Sequence, residues 1–460
     1  MLKGISAGQE GGMRELWKLT YPLVLSTASA TVMQFVNRMF LAWYGPQELA
    51  AVVPAGLMAF SCICFFLGTT SYTNVFISQF YGGKKYANLS VALWQGVWLS
   101  LFSWIIIAAC IVPGIMLINM SGHTAAIKEL EKQYFVIVTA AGGLVPLNAA
   151  FSAFFTGRGK TKITMYVQML MNAVNVVFSY VLIFGKFSFP ALGIRGGAYA
   201  FVIGNIAGAA VFLSIILNKA HRTEYRTARL FHFHYKLFKK LVAFGIPNGV
   251  GFLLDIASFT VFVFLAGNMS PETLEANNII LTINMLAFMP ILGVGMAVET
   301  LVGQYIGAGK PHIARKIAHS GLKMAALYSL PMAFIFFFAP GPIIKPFTLS
   351  NPAGMAQTVA ICYSILKILC VFIVADMVAI IYSNVIRGGG DTKFQMVTAS
   401  ACAWLVFVPG LYWLNKTHHS ITAMWWWGSF YLSLTALVYA LRYRHGNWLK
   451  LKLVHRARNS

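Results

Sequence analysis

Long apolar segments separated by short polar breaks make up most of the chain. A helix needs about 20 mostly apolar residues to cross a bilayer, and the sequence offers twelve such segments, from 17–43 at the start to 421–441 near the end. The longest polar stretch between them is 219–240. The pattern predicts an all-α membrane protein with twelve transmembrane helices.

The two halves of the sequence resemble each other when one is shifted along the other by 225 residues. Pro22 then falls on Pro247, and Gly68 falls on Gly293. Further on, TGRGKTK at 156–162 matches RGGGDTK at 387–393 at an offset of 231, so the second half gains about six residues before this point. A fixed offset that brings such residues into register indicates an internal repeat. Each half is therefore predicted to be one six-helix bundle.

An even number of helices gives both bundles the same orientation in the membrane, which predicts a 6+6 parallel repeat. The predicted domains are an N-terminal bundle, a basic cytoplasmic linker, a C-terminal bundle and a basic cytoplasmic tail, at 1–218, 219–240, 241–443 and 444–460. Transporters of this architecture bind substrate between the bundles near the middle of the membrane and open to either side in turn.

Composition excludes a soluble protein and charge excludes a nucleic-acid role. The chain is 58% hydrophobic and only 10% charged, with 35 Lys and Arg against 12 Asp and Glu. Of these basic residues, 27 fall on the side of the membrane that carries both termini and 6 fall in loops on the other side. This asymmetry predicts cytoplasmic termini, in the plasma membrane or a bacterial inner membrane. The linker and tail are expected to contact anionic lipids.

Three acids lie inside apolar segments, where an ionisable group is costly and usually functional. They are Asp255, Glu299 and Asp376. Counted from the nearest basic residue at the cytoplasmic end, all three are expected at similar depth, and all belong to the second half. A proton, a metal cation or a basic partner could neutralise each one. We expect them to bind the coupling cation, with Na⁺ shared between Asp376 and Asp255 or a proton in its place.

The first half has polar amides where the second half has acids. Those predicted to line a substrate cavity are Gln34, Asn37, Asn74, Asn172 and Asn175. No catalytic or metal-binding motif accompanies them. GRGKT lacks the leading glycine of a P-loop, and the pairs His232 with His234 and His418 with His419 lie in loops without further ligands. The sequence therefore predicts neither an enzyme nor a protein with an organic cofactor.

Four motifs in this order and spacing resemble those of the multidrug and toxic compound extrusion (MATE) family, of the larger flippase and exporter superfamily. They are NRMFLAWYGPQELAAV at 37–52, NAVNVVFSYVLIFGKFSFPALGIRGGAYA at 172–200, GVGMAVETLVGQYIGAGKP at 293–311 and ADMVAIIYSNVIRGGGDT at 375–392. The resemblance runs over nearly the whole chain. It implies a twelve-helix exporter that expels cationic, often aromatic compounds in exchange for sodium ions or protons.

The resemblance also assigns roles to individual residues. Asp376 matches the tenth-helix acid that precedes the RGxxDT turn and takes part in cation binding, and Asp255 resembles the seventh-helix acid, usually a glutamate. Asn37 stands where many members carry an aspartate. Because an amide does not titrate at physiological pH, this departure moves the coupling role to Asp376 and Asp255.

The function expected from these features is a secondary active multidrug efflux antiporter, acting as a monomer by alternating access. The nearest alternative is a lipid-linked saccharide flippase, which would need basic residues in its cavity; only Arg38 and Lys367 lie within helices. A membrane-embedded lipid-modifying enzyme would need clustered acids or histidines, and a passive channel would not need buried acids.

Overall fold

The computed structural model describes residues 10–228, 231–267, 269–348, 355–417 and 420–449. All regular elements within these ranges are helical. The pair His418 with His419 and most of the predicted tail lie outside the described residues.

The helices follow one another with short connections, as the apolar pattern predicts. In the first half they are α1 (Met13–Tyr44), α2 (Pro46–Ser71), α3 (Thr73–Gly82), α4 (Tyr86–Ala109), α5 (Ile111–Met120), α6 (Ala125–Ala140), α7 (Leu144–Thr156), α8 (Thr161–Phe184), α9 (Ile194–Ile216) and α10 (Lys219–Tyr225). In the second half they are α11 (Tyr235–Gly267), α12 (Pro271–Gly307), α13 (Pro311–Phe338), α14 (Pro340–Thr348), α15 (Ala356–Gly389), α16 (Thr392–Ala401), α17 (Val408–Thr417) and α18 (Ile421–His445). A π-helical turn, Cys402–Phe407, joins α16 to α17, and a 3-10 turn, Asn447–Leu449, follows α18.

Eleven helical segments among the described residues are long and apolar enough to cross a membrane. Some of them combine two helices, as α2 and α3 do in Pro46–Gly82. The twelfth predicted segment is α18, a 25-residue helix whose tryptophan and hydroxyl side chains make it less apolar than the others. The prediction of an all-α membrane protein is confirmed.

Proline and glycine set the ends of several helices. Proline begins α2, α12 and α13, where its missing N–H costs no hydrogen bond. At the other end, Gly390 follows α15 with φ +103°, a conformation that side chains with a Cβ adopt only with strain. Gly390 lies in the RGGGDT turn, and Gly159, with φ +76°, lies in the matching TGRGKT turn. Both segments are turns between two helices, as predicted.

The packing divides the chain into two compact units. Unit 1 comprises Met1–Val24 and Gly251–Ser460, and unit 2 comprises Leu25–Val250. The divisions therefore fall inside α1 and α11, shortly after Pro22 and Pro247, which the repeat places at equivalent positions. The predicted domain limits at 218 and 241 describe the sequence repeat and stay a prediction, because the packing places the 219–240 segment with unit 2.

Candidate functional site

The two acids assigned to cation coupling lie in the same unit and interact with each other. Asp255 is on α11 with an exposed side chain, and Asp376 is half-buried on α15. Their carboxylates lie within electrostatic range of one another, and Tyr431 of α18 lies within range of both. Across the part of the chain that the structure describes, neither carboxylate accepts a hydrogen bond or forms an ion pair. Two neighbouring acids without a basic partner are suited to bind a cation or a proton.

A π-helical turn borders Asp255. Trp404 in this turn donates a hydrogen bond from its indole Nε1 to the carbonyl of Leu254, at 3.2 Å. Trp427 of α18 donates to the carbonyls of Val406 and Phe407, both at 3.2 Å. A π turn leaves carbonyls without their usual hydrogen-bond donor inside the helix. The indole N–H of Trp427 donates to two of these carbonyls. No sequence signal marked this turn, which fixes the backbone next to Asp255.

Glu299 differs from the other two acids because it has a basic partner. It forms an ion pair with Arg387 at the end of α15, and its side chain is only 5% exposed. Arg387 also donates to the side-chain oxygen of Asn384, at 2.7 Å. Arg387 therefore supplies a counter-charge within the protein, and Glu299 differs in this from Asp255 and Asp376.

The predicted common depth of the three acids is wrong for Glu299. A Cβ on Gly388 would lie 2.7 Å from the carbonyl oxygen of Glu299, so the two residues are at the same level. Gly388 is twelve residues beyond Asp376 on α15, which corresponds to about 18 Å along a helix. The sequence count placed Arg387 outside the membrane segment and so did not connect it with Glu299.

In unit 2, two amides of the predicted cavity form a pair. The side-chain nitrogen of Asn37 on α1 donates to the side-chain oxygen of Asn175 on α8, at 2.7 Å. The remaining oxygen of Asn37 and the remaining nitrogen of Asn175 are buried without a partner among the described residues, as is the hydroxyl of Ser179 one turn further along α8. The pair therefore keeps both a free acceptor and a free donor for a polar ligand or water.

A second connection between α1 and α8 lies close by. Asn172 donates to the hydroxyl of Ser29, at 2.8 Å, and accepts from Gln168, at 3.3 Å. Gln34, on α1, has an exposed side chain. Asn74 is half-buried on α3, which continues the span that α2 begins. The structure thus connects α1 with α8 through Asn37, Asn175 and Asn172, and a single cavity lined by all five amides stays a prediction.

Glu15 and Glu131 are buried acids that the apolar pattern does not mark. Glu15, 5% exposed, accepts hydrogen bonds from the hydroxyl of Tyr305 and the amide of Gly11. Glu131, 2% exposed, contacts His123 at 2.7 Å. Both lie near segment ends, which is why their position in the sequence did not mark them as intramembrane acids. Their partners give them a structural explanation that Asp255 and Asp376 lack.

A cavity of about 440 Å³ opens in unit 1 beside the first turns of α12. Glu275 is its one acid, and the hydroxyl of Thr358 donates to one of the two carboxylate oxygens, at 2.9 Å. Its other lining residues are mostly apolar and include Leu274, Ile279, Phe347 and Met355. The pocket is shallow and open, and it presents one carboxylate within a mostly apolar lining.

The described residues contain no group of three or more His, Cys, Asp or Glu side chains arranged to hold a metal ion. A hard cation such as Na⁺ takes oxygen ligands, and the carboxylates of Asp255 and Asp376 are the neighbouring acids that could supply them. His232 and His234 are exposed and have no further metal ligands beside them.

Comparison with known families identifies two matching blocks in the chain. The family model MatE matches residues 22–181 and 247–413, one block in each half of the repeat. Together these blocks cover most of the sequence and include Asn37, Asp255 and Asp376.

Named relatives match over most of their length. A protein of Thermotoga maritima described as a probable multidrug resistance protein NorM is 26% identical over 402 residues, which are 86% of this chain and 84% of the relative. The multidrug resistance protein NorM of Burkholderia vietnamiensis is 26% identical over 93% of this chain and 92% of its own. An uncharacterized transporter of Bacillus subtilis, YisQ, is 25% identical over 86% of each chain.

Solved structures confirm the fold. An outward-facing multidrug resistance MATE transporter of the MOP superfamily superposes with a TM-score of 0.85 at 19% identity, covering 96% of this chain and 97% of its own. A MOP superfamily transporter from Pyrococcus furiosus, described as having a binding pocket of reversed polarity that suggests a different function, gives 0.83 at 20% identity, covering 97% and 99%.

Proposed function

This chain belongs to the MATE family of transporters, in the MOP superfamily, and we propose that it exports multiple organic compounds in exchange for a cation. It acts as a secondary antiporter, and the cation that enters drives the substrate out. The termini face the cytoplasm, and anionic lipids contact the basic segments. The named relatives over most of the chain support multidrug export.

The observation that carries the coupling proposal is the interaction of Asp255 with Asp376 without a basic partner among the described residues. Two nearby carboxylates repel each other, and in a membrane protein this repulsion is relieved by a bound cation or a proton. Binding of that cation favours one conformation of the transporter, and binding of substrate favours the other. Sodium is favoured because two carboxylates can share one metal ion.

We infer that the substrates are cationic and lipophilic, a class that the shallow pocket beside Glu275 would suit. Its apolar walls suit an aromatic or aliphatic body, and the oxygen of Glu275 that Thr358 leaves free suits a positive charge. In unit 2, the amide pair Asn37 and Asn175 offers neutral hydrogen-bonding groups to a substrate. Because Asn37 carries no carboxylate, unit 2 contributes polarity here without a coupling charge.

The test is efflux of ethidium from vesicles that contain the purified protein, with a sodium gradient and a proton gradient imposed separately. We expect one gradient to drive efflux in the wild type. Asp376→Asn and Asp255→Asn should each abolish the gradient dependence, because an amide neither binds Na⁺ as a carboxylate does nor titrates. Glu129→Gln, which removes an exposed acid of α6, is the matched control and should behave as the wild type.

Undiminished gradient-driven efflux in Asp376→Asn would contradict the coupling role of this residue. If the folded wild type moved no organic cation under either gradient, the proposed substrate class would be wrong, and transport of a lipid-linked saccharide would be the next assay.

A further inference from the structure

The segment that follows α10 is fastened along one face of α4. Ser90 of α4 donates its hydroxyl to the carbonyl of Tyr225, at 2.6 Å, and Trp94, one turn further on, donates its indole N–H to the carbonyl of Thr227, at 2.8 Å. Both bonds use side chains of α4 and backbone atoms of the segment. Side chains of α4 therefore hold the backbone of the segment at Tyr225 and Thr227.

The same face of α4 fastens the next part of the segment. The side-chain amide of Gln95 makes two hydrogen bonds to the segment. Its nitrogen donates to the carbonyl of His232, at 3.2 Å, and its oxygen accepts from the backbone N–H of His234, at 3.0 Å. Trp98 donates to the carbonyl of Phe231, at 3.2 Å. With its backbone held in this way, residues 231–234 present their side chains in a defined arrangement.

Aromatic rings form a continuous row along this fastened segment. Phe231 contacts Trp94 and Trp98, with ring centroids 4.6 and 5.6 Å apart. Phe233 contacts Phe102 of α4, at 6.2 Å, and Phe238 of α11, at 4.8 Å. Phe231, Phe233 and Phe102 remain between 43% and 48% exposed. Exposed rings next to the end of a membrane-spanning helix, as Phe231 and Phe233 are before α11, are typical of the bilayer interface.

Basic side chains alternate with these rings. The exposed ones are His232, His234, Lys236, Lys239 and Lys240. The sequence contains no acid from Tyr225 to Leu254, so the patch has no internal counter-charge along the chain. A surface that combines aromatic rings with unneutralised cations complements an anionic headgroup above an apolar layer.

We propose that residues 231–240, held on α4, bind anionic phospholipid of the membrane leaflet that they face. The phosphodiester lies against Lys236, Lys239 and Lys240, and the rings of Phe231 and Phe233 enter the boundary between headgroups and acyl chains. The site refines the lipid contacts included in the proposed function, but its test measures lipid binding and does not depend on transport.

The experiment uses the full-length protein, released from detergent in the gas phase and weighed with its bound lipids after incubation with phosphatidylglycerol or phosphatidylcholine. The wild type should retain phosphatidylglycerol in preference to phosphatidylcholine. Replacing Lys236, Lys239 and Lys240 together by Gln should weaken phosphatidylglycerol binding about a hundredfold. The matched control replaces three exposed lysines elsewhere, Lys84, Lys316 and Lys323, by Gln and should leave the preference unchanged.

A second variant separates charge from folding. Replacing the same three lysines of the patch by Arg keeps the charge and should keep the preference, and the thermal unfolding of every variant shows whether it is folded. The proposal would be overturned if the folded Gln variant bound phosphatidylglycerol as the wild type does. Equal loss in the control variant, or equal binding of both lipids by the wild type, would also overturn it.

Discussion

Arg387 and Glu299 form an ion pair that joins the end of α15 to α12. The nitrogen of Arg387 that contacts Glu299 also donates to Asn384, so one guanidinium satisfies a buried carboxylate and an amide. Glu299 thus has a basic partner, whereas Asp255 and Asp376 of the same unit have none among the described residues. Substitutions that neutralise these acids should therefore change the stability of the protein by different amounts.

Neutralising Glu299 should destabilise the protein, whereas neutralising Asp376 should not. Glu299→Gln leaves Arg387 without its counter-charge, and removing one partner of a buried pair costs about 2–4 kcal/mol when one partner is partly exposed. Asp376→Asn removes a charge that has no such partner. Thermal unfolding in mild detergent should therefore show a clear loss for Glu299→Gln and little change for Asp376→Asn.

The double variant Glu299→Gln with Arg387→Gln is the control, because it removes both charges of the pair. It should recover part of the stability lost in Glu299→Gln. Equal unfolding temperatures for wild type and Glu299→Gln would show that the pair contributes nothing, and Glu299 would return to the set of coupling candidates.

The hydrophobic pattern was sufficient to predict the helices and the repeat, because membrane segments carry that signal in their length and composition. It also found Asp255 and Asp376, since an acid within an apolar run stands out in a sequence. It could not predict the partner of Glu299. That pair depends on where α12 and α15 cross, and the close approach at Gly388 is visible only in three dimensions.

The hydrogen bonds between the side-chain amides of unit 2 could not be predicted from the sequence either. Asn37 and Asn175 are 138 residues apart, and nothing in the spacing distinguishes their pair from Asn74, which lies on α3. The π turn at Trp404 likewise has no marker in an otherwise apolar segment. Residue types were therefore predictable, but their partners were not.

The hydrogen bond between Asn37 and Asn175 should appear as an energetic coupling between the two residues. Each single substitution, Asn37→Ala or Asn175→Ala, removes this hydrogen bond, and the double variant has no second bond to lose. The decrease in the free energy of unfolding of the double variant should therefore be smaller than the sum of the two single decreases by about 1 kcal/mol. The measurement is a double-mutant cycle of unfolding in mild detergent. Strict additivity would show that the two side chains do not interact.

The free energy of unfolding of unit 2 should fall at alkaline pH because Tyr225 titrates there. Burial raises the pKa of Tyr225 to about 12, and the hydrogen bond to Glu224 acts in the same direction. Between pH 10 and 12 the unfolded chain loses this proton while the native state keeps it, so stability falls as the pH rises, by about 2 kcal/mol. Below pH 10 the contribution is fully present.

Tyr225→Phe provides the comparison, because phenylalanine fills the same space against Phe154 and Arg158 and does not titrate. Unfolding of both proteins should be followed from about pH 9 to pH 12. The wild type should lose stability relative to the variant over this interval. Parallel curves would contradict the raised pKa of Tyr225.

Gly388→Ala should be destabilising although alanine is the better helix former. A Cβ at this position would lie 2.7 Å from the carbonyl oxygen of Glu299 and 3.2 Å from Val302, so α12 and α15 would have to separate. Such overpacking costs about 2 kcal/mol. The unfolding temperature should fall, and the Arg387–Glu299 pair should weaken with it, since both depend on the same crossing.

Gly251→Ala is the matched control for this substitution. Gly251 lies within α11, where a Cβ would meet only Met396, at 3.7 Å, an ordinary contact. Alanine there should leave stability unchanged or raise it by up to about 1 kcal/mol, because it restricts the unfolded chain. If the two variants unfolded alike, helix propensity alone would explain both, and close approach at Gly388 would not be what brings Arg387 to Glu299.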